Sequence, residues 1–209
     1  MTDRTSGQYF DLVPASETAP TEFKCRFEGT DFEFRADSGV FSKRKADYGS
    51  CLLLETFISE RKTGLANGME ILDLGCGYGL VGIVVKRIFP AVSVTMSDIN
   101  TRAVEFARAN ASSNLVSSAN IIFSDGFENI PGSFDTVLLN PPVRAGKQTV
   151  FRLYQESYLH ITDGGRIYVV IQTKQGAGST VSELERLFGN CSVLNIKSGY
   201  RVLKSVKMH

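Results

Sequence analysis

Short apolar runs alternate with amphipathic stretches from Met69 onward, and this rhythm limits the possible folds more than any other feature. Runs such as ILDL and TVLL fit strands that are buried on both faces. Stretches such as NTRAVEFARANA and TVFRLYQESYLHI repeat apolar residues at helical spacing. Strands that alternate with helices predict a Rossmann-like α/β fold, with a mostly parallel sheet and helices on both faces. The 209 residues suit one such domain.

The individual elements follow from this rhythm. The predicted strands are MEILDL, AVSVTM, NIIFS, FDTVLL, GRIYVVIQ, SVLNIKS and YRVLKSV. The predicted helices are LVGIVVKRIF, NTRAVEFARANA, TVFRLYQESYLHI and SELERLFG. The residues 176–179, Gly-Ala-Gly-Ser, are expected to form a mobile loop before the last helix.

The residues before Met69 predict an addition to this sheet. Residues 1–20 are rich in Ser, Thr, Pro and acid, and we interpret them as a flexible lead. EFKCRF and DFEFRA alternate apolar and polar residues, which predicts a β-hairpin with Phe23, Cys25 and Phe27 on one face. DYGSCLLLETFISERKT predicts a helix with Asp47 or Ser50 as its N-cap. We therefore expect the hairpin and helix (21–66) to pack on the main domain (67–209).

Charge and cysteine content narrow the class of protein. A formal net charge of +1 does not indicate nucleic-acid binding through overall charge, although a local basic patch is compatible with it. The four cysteines include no CxxC pair, so neither a metal cluster nor a redox motif is expected. The first thirty residues lack the apolar core of a signal peptide, and no apolar run reaches the roughly 18 residues that span a membrane. We therefore expect a cytoplasmic protein.

The stretch DLGCGYG, Asp73 to Gly79, joins a predicted strand to a predicted helix through three alternating glycines. Glycine lets a backbone turn tightly and approach a ligand, so we expect a ligand at Gly75, Gly77 and Gly79. The overlapping GYGLVG also matches the GxGxxG dinucleotide fingerprint, which leaves a nicotinamide oxidoreductase as an alternative. Asp73 opposes this alternative, because a carboxylate before the turn repels a pyrophosphate and suits a ligand with an ammonium group.

Two further acids follow the next two predicted strands. Asp98 ends TMSD, where a carboxylate can accept hydrogen bonds from both hydroxyls of a ribose; the alternative is a helix N-cap, which Asn100 can also provide. Asp125 in SDGFEN lies where a carboxylate can accept an adenine amino group, although Asp-Gly alone is only a turn. The carboxyl ends of parallel strands meet at one edge, so these acids should converge with the glycine turn.

The stretch LLNPPVRAGK, Leu138 to Lys147, ends another predicted strand with two prolines. Proline cannot donate to a strand ladder and restricts the residue before it, so the pair holds Asn140 and the carbonyl of Pro141 in a fixed, extended geometry. Two acceptor oxygens match a primary amine or amide nitrogen, which presents two N–H donors. We predict that Asn140, Pro141 and Pro142 orient such a nitrogen towards an electrophile. The alternative is a simple turn at the end of a strand.

DLGCGYG, SDIN, SDGFEN and NPPVRAGK, in this order and on these elements, resemble the class I S-adenosylmethionine-dependent methyltransferases that methylate amino groups. More narrowly, DSGVFSKRKADYGSCLLLETF resembles the lead-in of the RsmC type, the guanine-N2 methyltransferases of small-subunit ribosomal RNA. This resemblance covers roughly residues 21–207 and implies a seven-stranded sheet with a reversed last hairpin. The long ribosomal RNA enzymes carry an additional amino-terminal domain, so the likeness is to a short, single-domain form.

The resemblance implies a role for each matching residue. Those implied for the methionine portion of S-adenosylmethionine are Gly75, Gly77 and Gly79, with Asp73 near its ammonium group. Asp98 is implied for the ribose, and Asp125, Gly126 and Phe127 are implied for the adenine. Cys76 and Ile99 are implied as further cofactor-binding residues. Asn140, Pro141 and Pro142 are implied to hold the acceptor nitrogen, with Asn140 also facing the cofactor.

The substrate side departs from the family pattern at one position. In the amino-methylating branch the residue after NPP is often aromatic and stacks on the acceptor base, but here it is Val143. Phe41 of GVFS is a candidate for stacking or for the core. A positive rim for RNA phosphates is predicted from Arg144, Lys147, Lys174, Lys43, Arg44 and Lys45, which are otherwise solvated surface charges.

We therefore predict an S-adenosylmethionine-dependent methyltransferase acting on an exocyclic amino group of RNA, namely guanine N2 of small-subunit ribosomal RNA. The predicted partner is ribosomal RNA or the small ribosomal subunit. A glutamine side-chain amide in a protein also presents two donors and is an alternative acceptor. A module that binds a nucleoside cofactor or RNA without catalysis is the next alternative, and the oxidoreductase is the last.

Overall fold

The computed structural model describes residues 20–36, 46–61 and 65–208. Its strands are β1 (Thr21–Phe27), β2 (Thr30–Ala36), β3 (Glu70–Leu74), β4 (Ser93–Asp98), β5 (Asn120–Phe123), β6 (Phe134–Leu139), β7 (Ile161–Gln172), β8 (Ser192–Lys197) and β9 (Tyr200–Val206). Its helices are α1 (Tyr48–Arg61), α2 (Leu80–Ile88), α3 (Thr101–Ser113), α4 (Lys147–His160) and α5 (Ala177–Phe188). No helix within these described ranges is long and apolar enough to cross a membrane.

Seven strands form one sheet in the order β5-β4-β3-β6-β7-β9-β8. Strands β3 to β7 are parallel, and β9 runs antiparallel between β7 and β8. This arrangement confirms the predicted Rossmann-like sheet and its reversed last hairpin. The chain moves outwards from β3 to β5 and then returns to place β6 beside β3, which makes the carboxyl ends of β3 and β6 the switch point where ligands bind in such sheets.

The sheet separates two buried clusters. Neighbouring residues such as Leu138 and Leu139, or Tyr168 and Val169, point into opposite clusters, as the two-residue period of a strand requires. The first core cluster joins one face of the sheet to β1, β2, α1, α2 and α3, and the second joins the other face to α4 and α5. Helices therefore cover both faces, as predicted.

The structure corrects the loop predicted before α5 and decides between the two N-cap residues predicted for α1. The residues Ala177 to Ser179 lie in the first turn of α5 and not in a loop, because Ala177 is fully buried in the second core cluster and Gly176 turns with a φ of 105°. At the start of α1, the Asp47 side chain accepts the Ser50 N–H at 2.8 Å. Asp47 is therefore the N-cap, and Ser50 lies inside the helix.

The hairpin of β1 and β2 is attached to the core by two asparagines of α3. Asn110 accepts the Arg35 N–H at 2.8 Å and donates to the Arg35 carbonyl at 2.9 Å, and Asn114 makes the same pair of bonds with the backbone of Glu33. Asn110 also donates to the Tyr78 carbonyl at 2.9 Å. These side-chain amides form the hydrogen bonds that a further strand would form with the free edge of β2. Helix α3 therefore fixes the hairpin beside the glycine turn.

The first turn of α2 is capped by a residue from the sheet. Gly79, the N-cap residue, offers no side chain, and the Asp73 carboxylate at the end of β3 accepts the Gly82 N–H at 2.8 Å instead. A Cβ at Gly82 would lie 2.5 Å from the Met96 sulfur, so this close approach of α2 to the sheet requires glycine. Burial raises the pKa of Asp73 to about 7, with the Gly82 N–H opposing the rise and the Asp98 carboxylate adding to it.

Asn110→Ala should destabilise the protein by about 1–3 kcal/mol, because it leaves backbone groups of Arg35 and Tyr78 without their partners. Urea denaturation followed by circular dichroism measures the change, with the exposed Ser113→Ala on the same helix as the control. Equal midpoints for the two variants would show that the hairpin is held by its apolar face alone.

Asp73 should make stability depend on pH. Its folded-state pKa lies above the unfolded value, so the folded protein binds more protons, and this contribution is fully present below about pH 4 and is lost as the pH rises to about 7. Asp73→Asn keeps an oxygen for the Gly82 N–H and does not titrate. The free energy of unfolding of the variant minus that of the wild type should therefore increase between about pH 4 and 7, by up to ~1.4 kcal/mol per unit. Urea denaturation at several pH values measures both free energies of unfolding, and a difference that stays constant from about pH 4 to 7 would refute this prediction.

Candidate active site

The predicted site residues follow strands that end side by side. Leu74 of β3 is in register with Ser97 of β4 and with Leu139 of β6, and Asp98 pairs with Phe123 of β5. The glycine turn, the two acid-bearing loops and the Asn-Pro-Pro segment therefore leave the sheet at one edge.

The glycine turn is held open towards the edge of the sheet. Gly75, Gly77 and Gly79 have φ values of 71°, 56° and 91°, a region that favours glycine. A Cβ at Gly75 would meet nothing within 4 Å, whereas one at Gly79 would lie 2.8 Å from Ile83 and 3.2 Å from Ala107. Gly79 thus lets α2 approach α3, while Gly75 borders open space that a ligand can enter.

Asp98 fixes the turn from the next strand. Its two carboxylate oxygens accept the Gly77 N–H at 2.8 Å and the Asn100 N–H at 2.9 Å. The N-cap of α3 is Asn100, whose side chain accepts the N–H groups of Arg102 and Ala103. The buried Cys76 donates its N–H to the Ser97 carbonyl at 2.8 Å, and Ile99 lies between Asp98 and Asn100.

The loop after β5 is tied to α4. Asp125 forms a short ion pair with Arg152, which also bonds Glu156 at 3.3 Å, and Glu156 accepts the Phe127 N–H at 3.3 Å. Gly126 has a φ of 53°, which favours glycine, and a Cβ there would lie 2.2 Å from Glu156 Oε2 and so displace that carboxylate. The Phe127 ring is buried in the second core cluster, stacked on His160 with ring centroids 4.4 Å apart.

The amide of Asn140 is held in one orientation by the start of α1. Its Nδ2 donates to Asp47 Oδ2 at 2.8 Å and to Ser50 Oγ at 3.0 Å. A carboxylate has no hydrogen to donate, so the amide nitrogen must face Asp47 and both amide hydrogens are used. The remaining polar atom of the side chain, Oδ1, is therefore the one left for a substrate.

The two prolines are followed by a tight turn. Pro142 has φ −75° and ψ 75°, and the Val143 N–H donates to the Pro141 carbonyl at 2.8 Å, which is an inverse γ-turn. The extended geometry predicted for this segment therefore stops at Pro142. A carbonyl oxygen has two lone pairs, so Pro141 retains one acceptor position beside Asn140.

The substrate-side residues have different environments. Val143 is partly buried and packs against the second core cluster. Arg144, Lys147 and Lys174 are exposed and follow the carboxyl ends of β6 and β7, and the Lys147 ammonium lies 4.9 Å from the centre of the Phe151 ring. Phe41, Lys43, Arg44 and Lys45 lie outside the described residues.

The sequence reasoning did not assign four side chains that the fold brings to these loops. Asp47 and Ser50 contact Asn140 from 93 and 90 positions away in the sequence, and Arg152 and Glu156 contact the loop after β5. The four-residue spacing of Arg152 and Glu156 indicates a common helix face, but no local signal identifies the loop they contact. The residues of DYGS were recognised as a helix start only.

Comparison with known proteins agrees with this arrangement. The sequence profile of the methyltransferase small domain family matches residues 31–204. The chain is 38% identical over 205 residues to the Bacillus subtilis protein YbxB, covering 97% of this chain and all of that protein. It is 30% identical over 195 residues to ribosomal RNA small subunit methyltransferase C of Pseudomonas entomophila, covering 91% of this chain and 56% of that enzyme.

The chain is also similar to an RsmC enzyme of known structure. The 16S rRNA N2 G1207 methyltransferase RsmC of Thermus thermophilus, in complex with AdoMet and guanosine, aligns with a TM-score of 0.82 and 25% identity. The alignment covers 93% of this chain and 52% of that enzyme, so the chain spans about half the length of the RsmC relatives. The profile match over most of the sequence and the shared fold lead to one conclusion: the chain belongs to the methyltransferase small domain family and is an RsmC-like class I methyltransferase.

Proposed function

We propose that this protein transfers the methyl group of S-adenosylmethionine to an exocyclic amino group of RNA, namely guanine N2 of small-subunit ribosomal RNA. The observation that carries this proposal is the fixed amide of Asn140. With both amide hydrogens bound by Asp47 and Ser50, Asn140 presents an acceptor to the substrate, and the Pro141 carbonyl supplies another. Two adjacent acceptors suit an NH2 group, which has two hydrogens to donate.

The residues at the edge of the sheet fit S-adenosylmethionine. Asp73 is a buried carboxyl with a pKa raised to about 7, and an ammonium group near it would compensate the cost of its charge. Gly75 borders open space, and Asp98, which ends β4 beside the glycine turn and binds the Gly77 N–H, is assigned to the ribose hydroxyls. A pyrophosphate is unfavourable here, because the Gly82 N–H at the start of α2 is already bound by the Asp73 carboxylate. The Asp125 loop is assigned to the adenine.

The chemistry divides between cofactor and protein. Bound S-adenosylmethionine supplies an electrophilic methyl group on a sulfonium. Asn140 and Pro141 bind the two N–H groups of the acceptor, which turns the nitrogen lone pair out of conjugation with the base and towards the methyl carbon. A C–N bond forms as the C–S bond breaks, giving S-adenosylhomocysteine, and the nitrogen then loses one proton to solvent. No strong base is required, because the proton leaves after the transfer.

The relatives support the choice of acceptor. Two of the similar proteins are named ribosomal RNA small subunit methyltransferases, and the structural neighbour holds guanosine together with AdoMet. The exposed Arg144, Lys147 and Lys174 follow the carboxyl ends of β6 and β7, at the edge where Asn140 lies, and suit the phosphates of an RNA strand. A protein glutamine amide presents the same two donors but no phosphates, so these cations favour RNA.

The substrate class can be determined by incubating the protein with labelled S-adenosylmethionine and either undermodified small ribosomal subunits or total cell protein. Label in the guanine N2 position of the small-subunit RNA is the expected result. Label in glutamine side chains would replace the proposal with a protein methyltransferase. Calorimetry should show binding of S-adenosylmethionine and S-adenosylhomocysteine but not NAD; binding of NAD alone would favour an oxidoreductase, and cofactor binding without any transfer would favour a non-catalytic module.

Asn140→Ala should lower kcat about 100-fold or more while cofactor affinity changes little, because it removes an acceptor that orients the nitrogen. Single-turnover transfer to small subunits and calorimetry with S-adenosylhomocysteine provide the two measurements. Asn120→Ala, an exposed asparagine at the start of β5, is the matched control and should keep both values. Normal transfer by Asn140→Ala would exclude the acceptor role.

Arg144→Ala with Lys147→Ala should weaken RNA binding and make it less dependent on salt. Each lost phosphate contact reduces the slope of log affinity against log salt by about 0.7 on a single strand, so the double variant should lose about 1.4. The control is Lys24→Ala with Arg26→Ala, which removes the same charge from the exposed face of β1. If both double variants change the slope equally, the loss reflects overall charge and not a rim at the site.

A further inference from the structure

The position that supplies an aromatic ring in many amino-methylating enzymes cannot do so here. Val143 is partly buried against the second core cluster, on the α4 and α5 side of the sheet. An RNA base that leaves its stack to present an amino group loses contacts that an enzyme must replace. A base-stacking surface near Asn140 must therefore come from another element.

Two tyrosines lie together on the other side of Asn140. Tyr48, the first residue of α1, and Tyr200, the first residue of β9, have ring centroids 5.4 Å apart and planes inclined by 49°. Tyr48 is 39% exposed, while Tyr200 is partly buried against the first core cluster. Tyr200 thus supports a ring whose outer surface faces solvent.

Hydrogen bonds hold both rings. The Tyr48 hydroxyl donates to Ser198 Oγ at 3.0 Å, and Gln172 Nε2 donates to the Tyr200 hydroxyl at 2.6 Å. Gln172 ends β7 and is in register with Tyr200, so this pair lies at the same edge as Asn140. An aromatic ring that is already fixed loses little conformational entropy when a ligand stacks on it.

Gly49 brings the tyrosines close to the acceptor-binding amide. A Cβ at Gly49 would lie 3.1 Å from Tyr200 Cε1 and 3.5 Å from Asn140 Nδ2. The Tyr200 ring and the Asn140 amide therefore both lie beside the Cα of Gly49, and a side chain at that position would contact both. Tyr48 also follows Asp47, the residue that binds Asn140 Nδ2. The same turn of α1 thus fixes the amide and carries the exposed ring.

We propose that Tyr48, supported by Tyr200, is the stacking surface for the acceptor base, which is a purine with an exocyclic amino group. This inference rests on the proposed function and adds the binding site for the base. Stacking provides affinity for any base with a large π-face, and the acceptors of Asn140 and Pro141 select the edge that carries NH2. Phe123, the other aromatic side chain that is exposed in the described part of the chain, lies on the opposite edge strand β5.

The chain contains no tryptophan, so a single introduced one reports its own surroundings. Tyr48→Trp, saturated with S-adenosylhomocysteine, should show saturable fluorescence quenching by guanosine 5′-monophosphate and weaker quenching by the uridine nucleotide. Leu159→Trp, at an exposed position near the far end of α4, is the control and should show no saturable change. Equal responses of the two variants, or none from Tyr48→Trp, would overturn the stacking proposal whether or not the protein methylates RNA.

Transfer kinetics separate this proposal from the proposed function. With small-subunit RNA as substrate, Tyr48→Ala should raise KM about tenfold, while Tyr48→Phe restores it and KM for S-adenosylmethionine is unchanged. A purely structural role would alter affinity for both substrates. A wild-type KM for RNA in Tyr48→Ala would overturn the stacking role but leave the proposed function standing. Absence of RNA methylation by the wild type would overturn the proposed function, and the fluorescence comparison would still decide the stacking role.

Discussion

Two buried carboxylates hold the glycine turn, and the geometry of the whole binding edge depends on them. Asp73 binds the first turn of α2 through the Gly82 N–H, and Asp98 binds the turn itself through the Gly77 N–H. Backbone N–H groups that face these acids cannot also bind a phosphate, so the turn is directed away from dinucleotide recognition although its glycines match that fingerprint. The raised pKa of Asp73 shows that this arrangement leaves a buried acid whose charge a cationic ligand can stabilise.

The residues before the α/β sheet contact the Asn-Pro-Pro segment directly. The N-cap of α1, Asp47, uses one carboxylate oxygen both to start the helix and to bind the Asn140 amide. The orientation of the Asn140 amide therefore depends on correct docking of α1 against β7 and β9. Loss of this helix would leave the Asn-Pro-Pro segment in place but free its amide to rotate, so fold and chemistry are coupled at this contact.

The sequence was sufficient for the elements and their order, because apolar periodicity and glycine turns are local signals. It also predicted that Asn140 and the three acids lie at one edge, since each is at or just beyond the carboxyl end of a parallel strand. It could not identify the partners of Asn140, because contacts between residues about 90 positions apart depend on how α1 docks. The loop predicted before α5 was wrong for a similar reason: burial of Ala177 outweighed the low helix propensity of the neighbouring glycines.

In the proposed acceptor site, the stacking ring and the Asn-Pro-Pro segment belong to different elements, and this separation has a consequence for substrate specificity. An aromatic residue directly after Asn-Pro-Pro would move with that segment, whereas Tyr48 moves with α1, which also fixes the Asn140 amide. Displacement of α1 would therefore remove the proposed stacking surface and free the amide together. At the proposed site, a base that is stacked but presents no NH2 gains affinity without correct alignment, while an amide substrate without a ring gains alignment without affinity. Under the proposed function, efficient transfer requires both properties in one acceptor, and a guanine base in RNA combines them.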